Sequence, residues 1–96
     1  MDMLFVVSTD RGANILVPLA QACVRKGIVW GCFFTNDGVR LLGDSEMKNL
    51  MGMANLALAC EHSWQRFMAG ESCPVELGSQ TNHSALLAAA AKVVTL

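Results

Sequence analysis

The stretch Ile28-Val-Trp-Gly-Cys-Phe-Phe34, "IVWGCFF", decides the fold class of this 96-residue chain. It is apolar at both sets of alternating positions, whereas a strand with one face in water alternates apolar and polar residues. A run of this kind is typical of a strand that is covered on both faces, as in a parallel sheet. The turn signal "TNDG" follows directly, so the stretch predicts a buried strand that ends near Phe34.

A second strand and a helix precede it. Leu4 to Val7 is another apolar, β-prone run, and it ends in the polar segment "STDRG". Between the two runs, residues 12–26 carry apolar side chains at helical spacing and stop at Gly27, while Pro18 predicts that the regular helix begins near it or is kinked there. Strand, helix and strand at this spacing predict a right-handed parallel crossover, hence an α/β fold.

The second half of the chain is ambiguous between one long helix and a helix–strand–helix unit. Residues 45–68 have a helix-favouring composition, with only Gly52 and Asn55 against it. The alternation established upstream favours a split: a helix over 45–54 capped by Ser45, a strand over 55–60, and a helix that reaches Gly70.

The remaining residues complete the pattern with a short edge strand over 75–77, a helix over about 79–91 and a last strand over 92–96. The sequence therefore predicts a single three-layer α/β/α domain over residues 1–96, with a mainly parallel sheet of about five strands. Four strands are expected to be neighbours, over 4–7, 28–34, 55–59 and 93–95.

Composition narrows the possible partners. The formal charge of −1 and the apolar content of 53% argue against disorder and against nucleic-acid binding. So much apolar surface in a short chain predicts self-association, and Trp30, Trp64 and the six methionines are expected to exceed what one small core can bury.

The compartment follows from the first residues and from the cysteines. The start "MDMLFVVSTD" lacks a basic segment, and its apolar run is too short for a signal peptide or a membrane span, so we expect a cytoplasmic protein with no membrane contact. The four cysteines form no CxxC pair and are expected to be free thiols, with Cys23 and Cys32 in the core. Neither GxGxxG nor GxxxxGK occurs, so nucleotide binding has little support.

Three segments at the strand ends and in the last helix carry a family resemblance: "FFTNDGV", "ALAC" and "GSQTNHSALLAAAAKVVTL". Together with the order of elements, they resemble the DsrE/DsrF-like (TusD-type) family of small sulfur-relay proteins over nearly the whole chain. The resemblance implies a parallel α/β fold and a dimer, trimer, hexamer or hetero-oligomer with related subunits. It also implies a sulfur carrier that holds a persulfide on the cysteine after the third strand, which is Cys60 here.

Local chemistry at Cys60 allows two interpretations. At the end of a parallel strand and the start of a helix, unpaired N–H groups favour a thiolate, the species that attacks or accepts sulfur. His62 could stabilise that anion or shuttle a proton, whereas the Glu61 carboxylate opposes it. The alternative is that Cys60 is a small, inert, buried hydrophobic residue.

Other residues are weaker candidates. Cys73 precedes Pro74 in a polar loop, where we expect it to be exposed and to act as a relay thiol or to be incidental. Asp10 and Arg11 in "STDRG", and Asp37 in the next turn, are candidate rim residues of the same crevice. His83 is expected to be a packed or exposed helix residue; a zinc site made of Cys60, His62, Cys73 and His83 matches no standard ligand spacing.

The leading hypothesis is a sulfur carrier or sulfurtransferase-type relay protein that takes sulfane sulfur on Cys60 and passes it to a partner protein, with no metal or organic cofactor. Whether it acts as an enzyme depends on the reactivity of Cys60. One alternative is a non-catalytic oligomeric module that binds protein partners. Another is a small-ligand or metal-binding protein that uses the same crevice.

Overall fold

A computed structural model describes residues 1–96 and confirms the α/β prediction. The strands are, in chain order, β1 Met3–Val7, β2 Trp30–Phe34, β3 Leu56–Cys60, β4 Glu76–Gly78 and β5 Lys92–Thr95. The helices are α1 Ala13–Lys26, α2 Ser45–Met51, α3 Glu61–Phe67 and α4 Gln80–Ala89, with a 3₁₀ helix over Asn36–Gly43.

The five strands form one sheet in the order β4-β3-β2-β1-β5, and every neighbouring pair is parallel. The four predicted neighbours therefore lie side by side, and the predicted short strand is indeed at an edge. The ambiguous half of the chain is split as expected, because β3 separates α2 from α3.

The two faces of the sheet are covered unequally. From β1 to β4 the chain moves in one direction along the sheet, so right-handed crossovers place α1, α2 and α3 on one face; the return from β4 to β5 places α4 on the other. The packing agrees. Leu16, Met47 and Trp64, one from each of the first three helices, belong to a cluster of 15 buried residues, here called the larger cluster. Leu86 of α4 belongs to a cluster of 6, the smaller cluster.

Local details differ from the sequence prediction in three places. Asp44, not Ser45, caps α2, because its carboxylate accepts a hydrogen bond from the Met47 N–H at 3.4 Å. α1 begins at Ala13 rather than near Pro18, whereas a kink at Pro18 stays a prediction; the proline is exposed, so the carbonyl left without a partner by the missing N–H can face water. The turn "TNDG" opens a 3₁₀ helix, where the sequence pattern indicated only a turn.

The two tryptophans and six methionines are not all buried, as expected, because Met53 is 63% exposed, but neither tryptophan is part of this surplus. Trp30 is 2% exposed and Trp64 is 6% exposed, because each fills space between the sheet and the helices of the larger cluster. The apolar surface that does face solvent comes from other side chains: Ile15, Leu19, Val24, Val29, Met53, Leu77, Leu87 and Val93. No helix has the length and apolar character needed to cross a membrane.

Gly38 is required where the 3₁₀ helix crosses the end of β1. A Cβ atom at this position would lie 2.1 Å from the Val7 carbonyl oxygen, a backbone atom that cannot move aside. The same carbonyl accepts the Thr35 N–H at 2.9 Å, so the turn after β2 is held directly against β1.

Replacing Gly38 by Ala should therefore destabilise the fold by roughly 1–3 kcal/mol, because the 3₁₀ helix must be displaced from β1. Urea denaturation gives the free energy of unfolding. Gly43→Ala is the matched control in the same 3₁₀ helix: its Cβ would meet only the Met68 Cε atom, at 3.6 Å, and the expected change is within about 0.5 kcal/mol. Equal losses for both variants would contradict the argument.

Candidate functional site

The candidate site lies where two neighbouring strands send the chain to opposite faces of the sheet. After β3 the chain enters α3 on one face, and after β4 it enters α4 on the other. Open α/β sheets bind ligands at such points, because the diverging loops leave a crevice at the carboxyl ends of the strands. Here the crevice is a cavity of about 360 Å³ lined by Cys60, Glu61, His62, Gln65, Gly78, Ser79 and Gln80.

The side chain of Cys60 faces α4. Side chains alternate along a strand, so Cys60 and Leu58 point to one face and join the smaller cluster, while Ala59 joins the larger one. Cys60 is the last residue of β3 and the N-cap of α3. With 4% of its surface exposed, it is buried yet still contributes to the cavity wall.

The polar surroundings of the sulfur favour the thiolate. Burial raises the pKa of the Cys60 thiol, but the side chain and backbone of Ser63, the backbone N–H of His62 and the side chain of Gln80 together lower it below its ordinary value. Gln80 Nε2 donates a hydrogen bond to Sγ at 3.6 Å. No backbone N–H of α3 forms a capping hydrogen bond of good geometry to the sulfur, so these groups act as nearby positive dipoles.

Ser63 connects the sulfur to the end of β2. It is 4% exposed, and its hydroxyl oxygen accepts the Asn36 N–H at 2.9 Å, which leaves the hydroxyl hydrogen available to the sulfur. Asn36 has φ = 50°, a left-handed conformation that asparagine tolerates better than most residues. Ser63 was not among the predicted site residues, because a serine three positions after a cysteine N-cap matches no capping box and its contact with Asn36 joins residues 27 positions apart.

The α4 side of the site is fixed by a capping box. Ser79 Oγ accepts the Asn82 N–H at 3.3 Å, and Asn82 Oδ1 accepts the Ser79 N–H at 2.8 Å. This interaction defines the first turn of α4 and therefore the position of Gln80. His83, one turn later, stacks on Phe33 with ring centroids 4.5 Å apart and 7° between the planes, and its Nδ1 lies 3.2 Å from Gln80 Oε1.

The side chains of Glu61 and His62, next to Cys60 in sequence, affect the Cys60 thiol less than their position suggests. Glu61 and His62 are exposed and line the cavity. What His62 gives the sulfur is its backbone N–H. The Glu61 carboxylate, expected to oppose the anion, stands in solvent, where water and salt screen its charge.

Cys73 is not beside Cys60. It is half-buried rather than exposed, and it packs against the larger cluster, on the face of the sheet away from the Cys60 side chain. Burial raises the pKa of its thiol, and a hydrogen bond from Val75 only partly offsets this. Neither its position nor the raised pKa of its thiol favours transfer of sulfur between Cys60 and Cys73 within one chain.

The remaining candidates lie apart from the cavity wall. Asp10, Arg11 and Asp37 are exposed and do not line the cavity. No group of three or more His, Cys, Asp or Glu side chains is placed to bind a metal ion, so the zinc arrangement considered above is not assembled. Comparisons with protein-family models, curated proteins and solved structures found no match to this chain.

Cys60 should be alkylated faster than the other three cysteines near neutral pH, because it is the one whose pKa is lowered; burial raises the pKa of Cys23, Cys32 and Cys73. Its rate should fall about tenfold per pH unit on acidification below its pKa. Trypsin gives each cysteine its own peptide, with Cys60 in residues 49–66, so iodoacetamide labelling can be followed site by site by mass spectrometry.

The variant Ser63→Ala should slow the labelling of Cys60, since it removes a group that lowers the pKa of the thiol. Ser84→Ala, an exposed serine of α4, is the control and should label at the original rate. Labelling of Cys60 at the rate of Cys32 would mean that the thiol is inert.

Proposed function

We propose that this protein is a sulfur carrier of the DsrE/DsrF-like type, in which Cys60 accepts sulfane sulfur as a persulfide and passes it to a partner protein. The observation that carries the proposal is a cysteine sulfur with a lowered pKa in the wall of an open cavity at the divergence of β3 and β4. The sequence resemblance assigns the same cysteine.

The reaction needs only sulfur nucleophiles. The Cys60 thiolate attacks the outer sulfur of a donor persulfide, R–S–S⁻; a new S–S bond forms on Cys60, and the donor's S–S bond breaks to release R–S⁻. In the second step an acceptor thiolate attacks the outer sulfur of the Cys60 persulfide and releases the Cys60 thiolate. There is no net oxidation, so no metal or organic cofactor is needed.

The positions of the other thiols favour carriage over disulfide formation. A persulfide is lost if a second cysteine of the same chain attacks it and closes a disulfide. Cys73, Cys23 and Cys32 all belong to or pack against the larger cluster, on the opposite side of the sheet from the Cys60 side chain. The persulfide would therefore persist until an external acceptor enters the cavity.

The proposed reaction also needs a reducing environment. All four cysteines are free, and a thiolate carrier must be kept reduced between cycles, so the proposed function suits a reducing compartment such as the cytoplasm. Its partners are the proteins that donate and accept the sulfur atom.

Incubation with polysulfide should add one sulfur atom to the peptide of residues 49–66, and Cys60→Ser should abolish the addition. Addition of a dithiol should remove the sulfur again, since a thiolate acceptor attacks its outer atom. Intact and peptide mass spectrometry follow both steps.

The variant Cys73→Ser is the matched control: it removes a thiol from the other side of the sheet and should load normally. Sulfur added equally to all four cysteine peptides would count against a dedicated site. A reactive Cys60 that alkylates but never loads would leave the ligand-binding alternative as the better account.

The proposal includes self-association of the chain, because several apolar side chains remain exposed on its surface. Ile15 and Leu19 lie one turn apart on α1, with 55% and 39% of their surfaces exposed. Leu87 of α4 and Val93 of β5 are 40% and 41% exposed on the thinly covered face of the sheet. A second copy or a related subunit would bury such surface. The same residues would serve the alternative, a non-catalytic interaction module.

Light scattering on a size-exclusion column should give a mass above that of the 10.3 kDa chain at micromolar concentration. Paired Ile15→Lys and Leu19→Lys substitutions, or Leu87→Lys with Val93→Lys, should lower it if the mutated patch forms the interface, because a buried charge without a partner is costly. A monomer before any substitution would refute self-association while leaving the chemistry of Cys60 untouched.

A further inference from the structure

The sulfur of Cys60 is the first member of a chain of contacts that ends in the middle of the sheet. Gln80 Nε2 donates to Cys60 Sγ at 3.6 Å, Gln80 Oε1 lies 3.2 Å from His83 Nδ1, and the His83 ring stacks on Phe33 of β2. Gln80 and His83 are three residues apart on α4, which places them on one face of the helix. Phe33 is fully buried and fixes the ring position from below.

We propose that His83 is a positioning residue for the reaction of Cys60: it holds the Gln80 amide with its donating nitrogen toward the sulfur. The inference deepens the proposed function and rests on it only in taking Cys60 as the reacting group. It does not depend on which molecule Cys60 attacks.

The two ends of the Gln80 amide differ in what they offer the sulfur. A glutamine side chain has one accepting end and one donating end, so the group that binds one end decides which end reaches the sulfur. If His83 Nδ1 carries the ring proton, it donates to Oε1 and leaves Nε2 to donate to a thiolate. If the amide is reversed, Oε1 faces the sulfur, where it accepts from a thiol but repels a thiolate.

The other nitrogen of His83 selects between these arrangements. Nε2 of His83 is buried and has no hydrogen-bond partner. With the amide reversed, the neutral ring would need its proton on Nε2 so that Nδ1 could accept, and that proton would be a buried donor without an acceptor. Buried N–H groups without partners are rarer in proteins than under-used acceptors. The surroundings of Nε2 therefore favour the Nδ1–H form and, through Gln80, the thiolate.

Few charged groups near the sulfur could outweigh the influence of Gln80 on the Cys60 thiolate. From α3 the sulfur is faced by Glu61 and His62, both exposed in the cavity wall. From β4, Glu76 points to the same face two residues before Gly78 and is also exposed. α4 contributes His83, and β2 presents Phe33, which does not titrate. The polar contacts of Gln80 and Ser63 thus act in a setting with no buried charge.

The test measures the pH midpoint of Cys60 alkylation by iodoacetamide, read on the peptide of residues 49–66, in the single variants Gln80→Met and His83→Phe and in the double variant. Gln80→Met keeps the length of the side chain and removes both polar ends of the amide; His83→Phe keeps the stacked ring and removes both nitrogens. We expect each single variant to raise the midpoint and to lower the labelling rate at pH 7 by roughly three- to tenfold. The double variant should match Gln80→Met alone, because His83 acts only through Gln80.

His83→Asn separates hydrogen bonding from packing. Its amide nitrogen can take the place of Nδ1 as a donor, but it has no ring to stack on Phe33. If His83 positions Gln80, the pH midpoint of Cys60 alkylation should stay near its original value in His83→Asn and rise in His83→Phe. If His83 only packs on Phe33, the midpoint should change more in His83→Asn than in His83→Phe. Gln21→Met, an exposed glutamine of α1, is the control for the methionine substitution.

Labelling of Cys32 in residues 27–40 reports unfolding in the same digest, since this cysteine is fully buried. The proposal is overturned if His83→Phe leaves the midpoint unchanged in a folded protein, if it raises the midpoint as much in the Gln80→Met background, or if His83→Asn is the more damaging change. Alkylation needs no sulfur donor, so a failure of persulfide loading would refute the proposed function without affecting this result.

Discussion

Right-handed crossovers between parallel strands determine which face of the sheet each helix covers, and the whole molecule depends on this constraint. Because the chain steps from β1 to β4 in one direction, three helices and the 3₁₀ helix are confined to one face. The single long return to β5 then has to bring α4 across the other. The crevice between β3 and β4 is a direct consequence, since this is where successive connections part.

The same constraint explains why α4 both covers one face of the sheet and contributes side chains to the site. α4 covers its face of the sheet almost alone, with Leu86 as its one buried residue. Its first turn also supplies Gln80 to the sulfur and His83 to Phe33. A shift of α4 relative to the sheet would therefore change both the packing of the smaller cluster and the environment of Cys60. A second subunit that packed over Leu87 would restrain such a shift.

The lowered pKa of Cys60 is a balance between burial and polar contacts rather than the effect of one neighbour. Burial alone would leave it like Cys32, whose pKa is raised. The two cysteines differ in their position along a strand. Cys32 lies in the middle of β2 among apolar side chains, whereas Cys60 is the N-cap of α3 and contacts Ser63 and Gln80. These polar groups come from the connections after β3 and β4, while the connection after β2 holds Ser63 through the Asn36 N–H; the three connections meet at one edge of the sheet because the strands are parallel.

The sequence by itself determined the alternation of strands and helices and the parallel sheet, because two-sided apolar runs such as "IVWGCFF" and turn signals such as "TNDG" are local patterns. The strand that ends at Cys60 followed only from continuing that alternation through a segment whose composition favours a helix. Tertiary structure decided the rest of the site. It placed Gln80 beside a cysteine 20 positions earlier, seated His83 on Phe33 and put Cys73 on the wrong side of the sheet for a relay. Local pattern cannot show such placements, since they depend on which face each crossover takes and on which strand ends become neighbours, and both are set only when the whole sheet has formed.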